Sequence, residues 1–365
     1  MTLQEYIKKN KYNTFHDEPF NDVDNLLLST LIYIDFRTVL CLTQKKEITL
    51  FELGKLFFQK YDSQAIKKLT NAPSIQKIIS NFKLMSSSVR YGDIVLKDYV
   101  NEVEENTQFG AVTFVLGDGT NYIAFEGTDD SVSGWKEDFI MSYQFPVLAQ
   151  KKAADYLNHH VSLFGPKVRI GGHSKGGNLA MASYMMCHFW IRSKILCIYN
   201  NDGPGFRKKE YSSSRYSSML KKLKMFVPEE GLVGLLFYHP ENYTVVKSNY
   251  LSIFQHDSTS WLVDEYSFQT GKLSSRSKKL EKRIFNWINS YDDKEKEKIV
   301  TSLFSVLEKG GIIGLSELRL SNINKIVGLL KENKEMESET RQLLLSAFKS
   351  LLLQELVSDN QKDND

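Results

Sequence analysis

The sequence predicts an α/β fold on a mostly parallel central sheet flanked by helices, with a helical C-terminal appendage. Three observations carry this. Residues 168–199 read as an apolar strand, a glycine-rich turn, a helix and a second strand, the unit from which parallel sheets are assembled. From about residue 110 the pattern changes from helical spacing to β-branched and aromatic runs. Beyond about residue 290 it is helical throughout.

Taken in order, residues 21–36 place Leu27, Leu31 and Ile34 at helical spacing, with Asn21 or Asp22 as cap. Residues 49–85 read as further short helices. Residues 111–116 and 122–125 are strands joined by Gly117-Asp118-Gly119-Thr120, a hairpin signal. Residues 147–163 form a helix with Ala153, Ala154 and Leu157 on one side. Strand 168–170, turn 171–177, helix 178–190 and strand 195–199 follow. Residues 224–227 and 243–247 are two more strands, preceded by a serine-rich loop at 211–218. In the last part Ile323, Val327 and Leu330 make one apolar stripe, and Leu344, Phe348 and Leu351 another. The expected division is one α/β domain over 1–290, a helical appendage over 291–358 and a frayed polar tail over 359–365.

Composition narrows the function. A 365-residue chain with 42% hydrophobic and 25% charged residues has the make-up of a soluble globular protein. Its net charge of +3 lacks the basic excess of a nucleic-acid binder. Cys41, Cys187 and Cys197 are scattered without metal-ligand spacing, which suits a reducing compartment and argues against zinc. The first residues turn polar at Lys8, Lys9, Asn10 and Lys11, unlike a secretory leader, so the expected location is the cytoplasm.

The chemistry centres on Gly172-His173-Ser174-Lys175-Gly176. A serine between glycines two residues away on either side can occupy a sharp strand-to-helix turn, where larger side chains would strike the neighbouring strand and helix. Such a pentapeptide arises by chance in roughly one chain in eight of this length, so the strand before it and the helix after it carry the specificity. The alternative is a structural glycine turn.

A serine hydroxyl needs a base. In this architecture the partners follow in the order serine, acid, histidine, which removes His16, His159 and His160. His173 adjoins the serine and is expected to point elsewhere, and His188 sits on the helix after the turn. His256, after the strand at 243–247, is favoured over His239. Asp202, following the strand next to the nucleophile strand, is the first candidate acid, with Glu230 and then Asp257 as alternatives. For an oxyanion hole the Lys175 N–H is one donor, and Thr128, in Phe125-Glu126-Gly127-Thr128, is placed to offer both its N–H and its hydroxyl.

Several segments together resemble a known family. Ala124-Phe125-Glu126-Gly127-Thr128-Asp129, Gly134-Trp135-Lys136-Glu137-Asp138-Phe139 and Gly172-His173-Ser174-Lys175-Gly176-Gly177-Asn178-Leu179-Ala180 are similar to motifs of an uncharacterised lipase-like family of Gram-positive bacteria related to class 3 lipases. Later segments, including 202–206, 233–236, 245–248 and 255–257, continue the likeness over about residues 16–262. The resemblance implies an α/β-hydrolase fold, ester hydrolysis, Thr128 near the oxyanion and a lid around Trp135. Two positions depart from it. Relatives usually carry arginine where this chain has Glu126, and class 3 lipases place their aspartate near Gly231.

The expected function is hydrolysis of a carboxylic ester, with a lipid or lysophospholipid favoured if Trp135, Phe139, Phe145 and Phe206 line an acyl site. The other reading of these aromatics is plain core. This chemistry requires neither metal nor organic cofactor. The rival class is a catalytically silent hydrolase fold used for binding. The basic run Lys272, Arg276, Lys278, Lys279, Lys282 and Arg283 reads as a solvated helix face, with peripheral contact to anionic lipid as the alternative.

Overall fold

The computed structural model describes residues 1–309, apart from 44, 71, 105–106 and 129–131, together with 328, 338, 341 and 342. The predicted stripes (Ile323, Val327, Leu330; Leu344, Phe348, Leu351) and the segment 359–365 lie outside the described residues. The chain opens with helices α1 (Leu3–Lys9), α2 (Asp22–Leu31) and α3 (Arg37–Thr43), then the short strand β1 (Glu47–Thr49). Helices α4 (Leu50–Lys60), α5 (Ser63–Leu69), α6 (Pro73–Ser86) and α7 (Val89–Gly92) follow. Next come β2 (Val95–Glu104), β3 (Thr107–Val115), β4 (Asn121–Phe125), α8 (Val132–Ile140) and α9 (Leu148–His160).

The centre is β5 (Val168–His173), α10 (Lys175–Met186), α11 (Phe189–Lys194) and β6 (Ile195–Asn201). After it come α12 (Lys208–Tyr211), α13 (Ser214–Leu220), β7 (Leu223–Pro228), β8 (Thr244–Val246) and the hairpin β9 (Val263–Asp264) and β10 (Ser267–Phe268). Helices α14 (Ser275–Asn289) and α15 (Asp293–Lys309) follow.

Strands β1 to β8 form one sheet in sequential order. The ladders from β4 through β8 are parallel, while β1, β2 and β3 extend the sheet antiparallel on the β4 side. The result is an α/β fold on a mostly parallel sheet flanked by helices, with the tight turn between β5 and α10 at its centre. β4 shows why the sheet needs cover on both faces. All five of its residues are buried. Tyr122 and Ala124 join the apolar layer that includes Leu26 and Leu27 of α2, whereas Ile123 and Phe125 join the layer made with α9 and α10.

Several elements differ from the sequence expectation. The serine-rich segment expected as a loop over 211–218 is largely helix α13, capped by Ser213. The helix expected over 178–190 ends at Met186 and gives way to α11. β2 gave little apolar signal because residues 97–101 are half-buried and 102–104 exposed, so its polar side chains reach solvent. The predicted helix over 147–163 ends at His160, ahead of Gly165-Pro166.

Two buried ion pairs fix the layers. Asp24 of α2 takes Arg90 Nη2 at 2.5 Å and Nε at 3.0 Å, and also the Tyr91 hydroxyl at 2.6 Å. Glu137 of α8 meets Lys175 Nζ at 3.2 Å and accepts from the Thr107 hydroxyl and the Ala149 N–H. Removing one partner of such a buried pair typically costs about 3–5 kcal/mol, because the other charge is left unpaired. Glu137 therefore pins α8 to β3, α9 and α10. On its other side α8 carries α15, with the Phe139 and Phe304 rings 5.6 Å apart. No helix among the described residues is long and apolar enough to cross a membrane.

Candidate active site

The turn at Ser174 is made possible by the two glycines. A Cβ on Gly172 would lie 2.3 Å from the Gly176 carbonyl carbon and 2.6 Å from the Phe125 oxygen. One on Gly176 would lie 2.1 Å from that same Phe125 oxygen. These are backbone obstacles that no rotamer avoids. Compressed in this way, Ser174 adopts φ 56°, ψ −131°, a region non-glycine residues rarely enter. Its side chain stands at the N-terminus of α10, and the Lys175 N–H, in the first helical turn, has no carbonyl four residues back to bond.

His256, at the end of a short 3₁₀ turn over Ser252–His256, places Nε2 3.0 Å from Ser174 Oγ. Its Nδ1 lies 2.6 Å from Asp202 Oδ2. Since a carboxylate accepts only, the proton of His256 sits on Nδ1, leaving Nε2 to accept from the serine hydroxyl. Asp202 is fully buried just past β6, where its other oxygen accepts the Gly234 N–H at 2.9 Å. Burial pushes its carboxyl above the usual range, and the bond to His256 opposes that shift.

The remaining candidates fall elsewhere. His239 bonds Glu281 of α14. Asp257 caps its own turn through Thr259. Glu230 does not meet His256. It accepts the Ser252 N–H and donates its own N–H to Gln255, so it braces the turn that carries the histidine. At Gly231 a side chain would meet Val227 Cγ1 at 2.7 Å.

Thr128 lies on the loop after β4, and that loop touches the nucleophile turn. A Cβ on Gly127 would be 2.6 Å from the His173 carbonyl oxygen. The expectation that Thr128 offers its hydroxyl is corrected, because that hydroxyl donates to Asp138 Oδ2 at 2.6 Å. Burial pushes the Asp138 carboxyl up to about 6, against the pull of the Lys175 ammonium and the Thr128 hydroxyl. Its Oδ1 is buried with no partner among the described residues.

Phe206 is also corrected as a lining residue. It is 3% exposed, its ring packs on Phe145 and Tyr216, and its backbone bridges to Tyr238, all of which turn it into the core. Trp135 is half-buried on α8, and Phe139 leans on Phe304.

His173 does not point away from the site. Its ring centroid is 4.7 Å from that of His256, and its Nε2 lies 2.8 Å from the His256 carbonyl oxygen. That carbonyl can only accept, so Nε2 carries the proton and Nδ1 accepts from the Tyr33 hydroxyl at 3.1 Å. Burial, and then the neighbouring His256, hold His173 down at about 3. A neutral imidazole on β5 thereby fixes the backbone of the His256 turn. Asparagines fix the Asp202 loop similarly: Asn200 bonds the Gly203 N–H, and Asn178 donates to the Pro204 and Gly205 carbonyls.

His173 yields a pH prediction. The unfolded chain takes up this proton near 6.5 and the folded chain only near 3, so the stabilisation is complete above about 6.5 and is lost as pH falls toward 3. Chemical denaturation between pH 6.5 and 4 is expected to show wild type losing up to about 1.4 kcal/mol more per pH unit than His173→Gln. Asp138 acts with the opposite sign within this window but is common to both proteins. Equal slopes would contradict the buried neutral assignment.

The family model described as Mbeg1-like matches residues 85–305. Among solved structures, the crystal structure of M37 lipase is similar at a TM-score of 0.33 and 15% identity, over 48% of this chain and 70% of that one. No curated protein matches the chain.

Proposed function

The chain belongs to the Mbeg1-like family, and from that premise and the arrangement of its polar residues we propose that it is a serine hydrolase of carboxylic esters. The observation that carries the reading is the hydrogen-bonded series Ser174 Oγ, His256 Nε2, His256 Nδ1, Asp202 Oδ2, with links of 3.0 and 2.6 Å. In the proposed reaction Ser174 Oγ attacks the acyl carbon while His256 Nε2 takes its proton. His256 then delivers that proton to the departing alcohol as the ester C–O bond breaks. Water, deprotonated by the same nitrogen, releases the acid from the acyl-enzyme. Asp202 keeps the histidine in the required tautomer and stabilises the imidazolium.

The N–H groups of Lys175 and Thr128 are the proposed oxyanion donors, since the Thr128 hydroxyl is engaged by Asp138. α8 borders the proposed oxyanion loop, because Asp138 of that helix accepts the Thr128 hydroxyl at 2.6 Å. Half-buried Trp135 of that helix is the proposed acyl contact, which favours a lipid-like acyl chain, whereas Phe139 is taken up by Phe304 of α15. With Glu137 buried in its ion pair, α8 serves as a fixed wall rather than a freely swinging lid.

The experiment is pre-steady-state hydrolysis of p-nitrophenyl butyrate. We expect a burst of nitrophenol and an intact-mass increase of one butyryl group that maps to Ser174. Turnover with no covalent adduct at Ser174 under any quench condition would count against an acyl-enzyme.

A further inference from the structure

The geometry points to a docking surface for an anionic lipid bilayer, made by the outer face of α14 together with the turn that carries His256. The first observation is charge. Lys272, Arg276, Lys278, Lys279, Lys282 and Arg283 are all exposed, and none makes an ion pair with a described residue. Glu281, the acidic residue of the run, is turned inward and engaged by His239 Nε2 at 3.1 Å. The apolar side of the helix is committed to the body of the protein, with Phe285 on Tyr238 at 4.9 Å. The helix thus holds its cations toward solvent in a protein whose overall net charge is only +3.

The second observation is an apolar pair beside this cationic face. Leu251 is 61% and Phe254 51% exposed, on or next to the 3₁₀ turn that ends at His256. The two features clasp consecutive residues of the loop after β7. The Ser274 N–H, capping α14, donates to the Glu229 carbonyl at 2.8 Å. The Glu230 N–H bonds Gln255 at 2.8 Å, and the Glu230 carboxylate takes the Ser252 N–H. A further cation stands there, with Lys77 Nζ 4.3 Å from the Tyr250 ring centroid.

Cations that remain solvated beside side chains able to enter an acyl layer match the charge and polarity of an anionic membrane surface. A nucleic acid would use the cations but leave aliphatic Leu251 without a partner. The docking stands apart from the hydrolase reading. Only its consequence, delivery of Ser174 to a lipid interface, rests on it.

The test is sedimentation of the full chain with vesicles of phosphatidylcholine, with and without about 30% phosphatidylserine, at about 0.1 M salt. Binding is expected to the anionic vesicles, and to weaken as salt is raised. Combining Lys278→Gln, Lys279→Gln, Lys282→Gln and Arg283→Gln should lower partitioning about a hundredfold or more, at roughly fivefold per near-surface cation. Leu251→Ser with Phe254→Ser should weaken it independently of salt. The fourfold variant, whose substitutions all lie on α14, should retain wild-type hydrolysis of a soluble ester, so failure of docking is distinguishable from failure of the catalytic reading. Unchanged binding by the fourfold variant, or a wild type that ignores both vesicles, would overturn the proposal. So would a preference for a short duplex DNA over the anionic vesicles.

Discussion

Replacing Ser174 with alanine is expected to lower kcat on a soluble carboxylic ester by about 10⁵-fold, with KM little changed. The substitution deletes one oxygen and keeps the Cβ, so the turn imposed by Gly172 and Gly176 against the Phe125 carbonyl persists. His256 keeps its bond to Asp202 and loses only the hydroxyl at 3.0 Å. The stability of this variant should lie close to that of wild type, and denaturation curves measured with the kinetics would show it. A loss of activity accompanied by unfolding would say little about chemistry. Loss in a folded protein assigns the hydroxyl its role.

The second large effect concerns the acid. Asp202→Asn should reduce kcat by about 10⁴-fold, whereas Glu230→Gln should have a far smaller effect. The reason lies in the two bonds of the Asp202 carboxylate. Oδ1 must accept the Gly234 N–H, so an asparagine has to keep its oxygen there and turn its NH₂ toward His256. The histidine can meet that donor only by moving its proton from Nδ1 to Nε2, which points it at Ser174 and removes the base. Glu230 touches the backbone of the His256 turn, so its amide would loosen a position without reversing a tautomer. Similar losses in both variants would contradict this assignment, and steady-state kinetics on the pair decides it.

Ser174 could be read from the sequence because its constraint is local. The two glycines answer to a clash within five residues of chain and the adjoining strand. Asp202 and His256 were expected from chain order and from their places after strands. Asp202 directly follows β6, at the end of a parallel strand, while His256 lies in the loop after β8, on its own 3₁₀ turn. What remained hidden depends on which distant residues meet. Nothing near His173 in sequence announces that its ring will support the His256 backbone, 83 residues on. The tyrosine completing that link, Tyr33, comes from the helical N-terminal layer. Phe206 stood among the aromatics that could line an acyl site or belong to the core, and the bridge to Tyr238 turns its ring into the core. The pairing of Glu137 with Lys175 was equally out of reach, as both sit in motifs whose neighbours draw attention to catalysis. The polar run of β2 hid a strand because a half-buried strand toward the sheet edge tolerates charge.

The most direct test of the central claim is labelling of the purified chain by a fluorophosphonate probe, with Ser174→Ala beside it and detergent present in a parallel sample. Stoichiometric phosphonylation of wild type at Ser174, and none of the variant, is the expected result. A folded wild type that stays unlabelled in both samples would contradict an activated serine and leave the hydrolase fold as a binding module.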